Sequence, residues 1–66
     1  MTKLEAIYHC VEYLQENRYY GDFEMSYALG DPNAEDYICS RFTTKDGDEV
    51  RHDVYLVVKD ILEEVN

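Results

Sequence analysis

Apolar residues in the first part of the chain fall at helical spacing. Leu4, Ile7, Val11 and Leu14 form one stripe, with Tyr8 on its flank. Thr2 followed three residues later by Glu5 is the signature of a capping box, so a helix is predicted from about residue 3 to about residue 17. Asn17 and Gly21 mark its exit. The opposite face carries Glu5, Glu12 and Glu16, with His9 between them.

The period then changes to two. Phe23, Met25, Tyr27 and Leu29 alternate with Asp22, Glu24, Ser26 and Ala28, which predicts a half-buried strand with Tyr27 inward and Glu24 outward. Residues 30–36, GDPNAED, read as a turn. A second strand is predicted in the stretch DYICSRFTT, residues 36–44, with Ile38 and Phe42 in the core. Asp46-Gly47 supplies a hairpin turn, and a short third strand runs from Glu49 to about His52. In the last segment Val54, Val58, Ile61 and Val65 share one helical stripe, flanked by Leu62 and Val57. Asp53 is its expected cap, Lys59, Asp60 and Glu63 face water, and Leu56 falls on the polar side.

The expected fold is therefore a single α+β domain over residues 1–66, in the order α-β-β-β-α. Both helices would pack on one face of a three-stranded antiparallel sheet. The other face would lie open and carry Glu24, Tyr37, Cys39, Arg41, Glu49 and Arg51.

This order of elements resembles that of double-stranded RNA-binding domains, as does the Gly-Asp-Pro turn at Gly30 to Pro32. The resemblance implies a basic cluster at the start of the last helix. Asp53, Val54, Tyr55, Leu56 and Val57 stand there instead, with Lys59 as the lone base, so the residues that would grip phosphate are missing.

Charge changes the picture most. Fifteen acidic residues against six basic ones give a formal net charge of −9. Phosphate contacts need cations, so direct binding to nucleic acid or to an anionic membrane is not expected. A basic partner is attracted. Plain solubility explains the acidity equally well. A chain of this length buries only about 60% of its unfolded surface, which leaves a small core and no deep cleft.

The two cysteines, Cys10 and Cys39, form no CxxC motif, and the start MTKLEAIYHCVEYL lacks the apolar run of a signal peptide. Both points predict a reduced, cytoplasmic protein. Cys10, Cys39, His9 and His52 lack the paired spacing of a zinc site, and DGDE at residues 46–49 has its glycine in the wrong place for a calcium loop. Ser26 and Ser40 sit in no nucleophile motif, so no catalytic residue, cofactor or metal is expected.

What is left is a surface. Glu5, Glu12 and Glu16 form a row on the first helix, and Glu35, Asp36, Asp46, Asp48 and Glu49 crowd the two turns. Tyr19, Tyr20 and Tyr37 lie near the acidic loop and belong to neither helix stripe, whereas Tyr8, Tyr27 and Tyr55 are assigned to the edges of the core. Tyrosine beside carboxylate can meet an arginine both by ion pairing and by stacking. These residues predict a non-catalytic inhibitor that imitates nucleic-acid phosphates, of the kind phages and mobile elements use against defences. Its partner would be a basic nucleic-acid-binding protein or nuclease. The competing expectation is a homodimer joined through the open sheet face and Leu56.

Overall fold

The computed structural model describes residues 1–65. It places four helices and two very short strands in the order α1 (Lys3–Glu16), β1 (Tyr20–Gly21), α2 (Met25–Gly30), α3 (Ala34–Ser40), β2 (Phe42–Thr43) and α4 (His52–Glu63). The sheet is a single antiparallel pair, with Tyr20 opposite Thr43 and Gly21 opposite Phe42.

The three-stranded sheet is thus overturned. Residues 22–29 are not a strand: after a short extended lead, Met25–Gly30 is one and a half turns of helix. Residues 36–44 divide into most of α3 and the two residues of β2. The third strand shrinks to one bridge, Glu49 to Thr43. With it goes the open sheet face on which the homodimer rested. The likeness to double-stranded RNA-binding domains, which rested on element order, goes as well.

The end helices form as their patterns predict. Thr2 Oγ1 accepts the Glu5 amide at 3.2 Å, and Glu5 Oε1 accepts the Thr2 amide at 3.0 Å, closing the capping box. The buried stripe of α1 is Ala6, Ile7, Cys10 and Leu14, while Leu4 and Tyr8 are exposed. The small residues Ala6 and Cys10 let α4 approach closely. Indeed the Cys10 thiol donates to the Val58 carbonyl, with Sγ 3.6 Å from the oxygen. In α4 Val54 and Val58 are buried, and Arg51, not Asp53, occupies the cap position.

Helix α1 ends in a Schellman turn. Arg18 takes φ 66°, its amide bonds the Gln15 carbonyl at 3.0 Å, and the Tyr19 amide bonds the Leu14 carbonyl at 2.9 Å. Tyr19 and Leu14 are both buried, which supplies the hydrophobic contact of that motif. Tyr19 then reaches across the fold, where its hydroxyl accepts the Arg51 amide at 3.2 Å and satisfies a free donor at the start of α4. A left-handed arginine costs about 1–2 kcal/mol, and glycine loses about half of that gain through unfolded-state entropy. Arg18→Gly should therefore raise stability by roughly 0.5–1 kcal/mol, read as a higher midpoint in a urea melt; a lower midpoint would contradict the strained-turn account.

Helices α2 and α3 are too short to persist alone. Each is fastened by its one inward side: Ala28 on α2, and Ala34 with Ile38 on α3. The turn between them is pinned by Lys3, whose Nζ donates to the Asp31 carbonyl at 2.7 Å. Asp31 also accepts the Asn33 amide at 2.9 Å. Tyr27, expected inside, is 58% exposed and lies against Tyr37 with ring centroids 4.4 Å apart. Gly47 takes φ 88°, as the Asp46-Gly47 turn requires.

Candidate functional site

Helices α1 and α4 are the most extensively packed pair, and they run antiparallel. Three observations set their register. Tyr19, just past the end of α1, bonds Arg51 at the start of α4. Cys10 meets Val58 near the middle of both. Lys3 shares a groove with Leu62 and Val65 at the far end.

This register decides where the carboxylates lie. At 100° per residue, Glu5, Glu12 and Glu16 fall within 40° of one another on α1, on the side away from Ile7 and Leu14. By the same rule Asp53, Asp60 and Glu64 fall within 40° on α4 and at its C-cap, away from Val54 and Val58. All six are exposed. Antiparallel pairing sets Glu16 and Asp53 at one end of the helix pair and Glu5 and Glu64 at the other. Packed helix axes lie about 8–10 Å apart, and Glu5 to Glu16 spans about 16 Å. Each rod of the α1–α4 pair therefore carries one acidic row, on its side away from the core.

Two groups in these rows have shifted proton affinity. Hydrogen bonds from the Thr2 amide and hydroxyl hold Glu5 below its ordinary carboxylate range. The Arg51 guanidinium, bonded to Asp53 at 3.1 Å, lowers the Asp53 pKa, and Asp53 in turn raises that of Arg51. This ion pair is the one salt bridge among the described residues, and it partly offsets the charge at one end of the α4 row.

The other expected site residues are scattered. Glu35 and Asp36 stand in the first turn of α3. Asp36 accepts a 2.5 Å bond from the Tyr55 hydroxyl, which holds that phenol protonated and raises its pKa to about 12. Asp36 and Glu49 line a shallow groove with Cys39, Phe42, Val50 and Tyr55. Asp46 and Asp48 project from the tip of the β2–α4 connection. Tyr19 is 2% exposed, so its place is in the core. Tyr37 is half-buried, with its hydroxyl accepting the Glu24 amide at 3.0 Å and its ring edge-on to Phe23. Tyr20 is exposed on β1. Tyr8, assigned to the core edge, is exposed beside the α1 row.

The α4 row is what the sequence pattern hid. The linear pattern predicts Asp60 facing water and Asp53 as a cap, and nothing in it sets α4 against α1. The one available signal was the repeat of acids at 53, 60 and 64, which matches 5, 12 and 16 in spacing.

Neither cysteine suits a reactive role. Burial pushes the Cys10 thiol up to about 12 and the Cys39 thiol up to about 11. Because these pKa values are raised, the folded state keeps both thiols protonated where the unfolded chain would release them. Their contribution to stability is therefore present below about pH 9 and is lost as pH rises toward about 11 to 12. Alkylation by iodoacetamide at pH 8 should be about a hundredfold slower in the native protein than in denaturant. Equal rates would contradict the burial of both thiols.

Among the described residues, no group of three or more His, Cys, Asp or Glu side chains is placed to hold a metal ion, and no helix is long and apolar enough to cross a membrane. Comparisons with protein-family models, with curated proteins and with solved structures give no match.

Proposed function

We infer that this chain is a non-catalytic binding module that sets its α1–α4 face on a basic, nucleic-acid-binding surface of another protein, in the place of phosphates. The observation behind this reading is the register of the two helices. It fixes six carboxylates in two parallel rows on a well-packed pair of rods, where one helix alone would offer a single row. Rigidly held charge of one sign steers a partner of the opposite sign and raises its association rate about 10- to 1000-fold. The exposed Tyr8 and Leu56 flank the rows and give some apolar contact area.

The partner is sought by capture from lysate at low salt, about 0.05 M, and release at about 0.3 M, where the Debye length falls to several ångströms. A protein that counts is one that also binds duplex DNA or RNA, and that the nucleic acid displaces from this chain. Against such a partner, Glu12→Lys with Glu16→Lys should slow association at least about tenfold. Asp46→Lys with Asp48→Lys, on the β2–α4 connection and outside the two rows, should change it less. All four substitutions lie on the surface and should leave stability within about 0.5 kcal/mol. Equal loss from both pairs would mean that net charge alone matters. Capture that nucleic acid does not displace would refute the reading.

A further inference from the structure

The sparse cations are not spread evenly. The chain has six basic residues, and two of them, Arg18 and Lys45, line one groove together with Tyr20, Thr44 and Asp46. The groove holds about 360 Å3, within the range of small-ligand sites. It lies where the turn after α1 meets the β2–α4 turn, so residues far apart in sequence are held together by the β1–β2 pair. Neither Arg18 nor Lys45 makes a side-chain hydrogen bond or ion pair among the described residues.

Three features of the groove point the same way. The first is the backbone of Arg18. Its φ of 66° is one that glycine adopts without cost, yet a long cationic side chain stands there. The Schellman turn thus sets a long cationic side chain at a position where glycine would fit at lower cost. The second is Tyr20, a residue 53% exposed on β1 at the groove wall. The third is Thr44, whose Oγ1 accepts the Asp48 amide at 3.0 Å. That bond fixes the rotamer and leaves the hydroxyl proton free to donate.

We propose that this groove binds a nucleoside monophosphate. Arg18 and Lys45 take the phosphate, the Tyr20 face stacks the base, and the Asp46 carboxylate accepts from a ribose hydroxyl. Each part answers one chemical portion of the ligand. Inorganic phosphate would leave Tyr20 and Asp46 without a partner, and an uncharged nucleoside would leave the two cations without one. Glu16, two residues before Arg18, opposes the anion, while row carboxylates beyond about 8 Å are screened at physiological salt. The site is independent of the docking face and stands or falls without it.

The test is a titration of the full, 15N-labelled chain with adenosine 5′-monophosphate, followed by amide shifts, with inorganic phosphate and adenosine in parallel. Saturable shifts are expected at residues 18–21 and 44–47, with the monophosphate at least about tenfold tighter than either fragment. Arg18→Gly suits the turn better than arginine does, so it keeps the fold while removing the cation. It should weaken the monophosphate about tenfold, and the exposed Lys45→Ala should do the same. Three outcomes overturn the proposal: no saturable shift, equal affinity for phosphate alone, or full affinity in both variants.

Discussion

Gly21→Ala should cost this protein most of its stability. A Cβ at position 21 would lie 1.9 Å from the Arg41 carbonyl oxygen, 2.8 Å from its carbon and 2.9 Å from the Phe42 Cα. All three are backbone atoms, so no side chain can swing aside. The two strands could separate only by opening the pairing of Gly21 with Phe42, which is half of the β1–β2 ladder. The contact is braced from outside as well, by Arg41 Nε donating to the Asp22 carbonyl at 3.1 Å. Ordinary overpacking costs about 1–3 kcal/mol, and a clash with backbone lies at or above the top of that range. A domain of this length has on the order of 3–10 kcal/mol in total. The thermal midpoint should fall by at least about 10 °C, at about 4–8 °C per kcal/mol. A midpoint within a few degrees of the parent would show that the strands can part cheaply.

Phe42→Ala comes next. Phe42 is among the largest side chains in the core, and its ring meets that of Phe23 with centroids 6.0 Å apart. Around the same core stand Ile7, Leu14, Tyr19, Ile38 and Val54, contributed by α1, the turn after it, α3 and α4. Truncating a buried phenylalanine costs about 3–5 kcal/mol, part of it for the cavity left behind. With so small a core the loss is comparable to the whole stability, so the variant should be largely unfolded at 37 °C by circular dichroism. Leu56→Ala, on the exposed face of α4, is the control and should stay within about 0.5 kcal/mol. Equal effects from the two would mean that Phe42 does not organise the core.

These two residues show why the middle of the chain departs from its linear pattern. Gly21 and Phe42 make half of the two-residue ladder; Gly21 lies in no run with strand periodicity, and the strand expected around Phe42 keeps only Phe42 and Thr43. The alternation of Phe23, Met25, Tyr27 and Leu29 is genuine, but half of it follows another cause. Met25 and Ala28 are three apart and turn inward on a helix, while Tyr27 and Leu29 are left exposed. In the segment PNAED a turn signature and a helix start coincide. Pro32 and Asn33 precede Ala34, and Glu35 with Asp36 favour the helix N-terminus. The spacing of Ala34 and Ile38, one helical turn apart, was the sign that a helix follows.

Local rules sufficed where an element is long enough to express its own period. Both end helices, the capping box at Thr2 and the Asp46-Gly47 turn could be read from residues within a few positions of one another. So could the surplus of acid, which is a sum and needs no geometry. Helices α2 and α3, the two-residue strands and the pairing of acidic rows lie beyond such rules. Each depends on contacts between distant segments: Lys3 with Asp31, Tyr19 with Arg51, Cys10 with Val58. A segment of six or seven residues gains too little from its own hydrogen bonds to choose a conformation, so burial against the rest of the chain chooses for it. The α1–α4 register is likewise a packing outcome, and it decides which ends of the two carboxylate rows lie together.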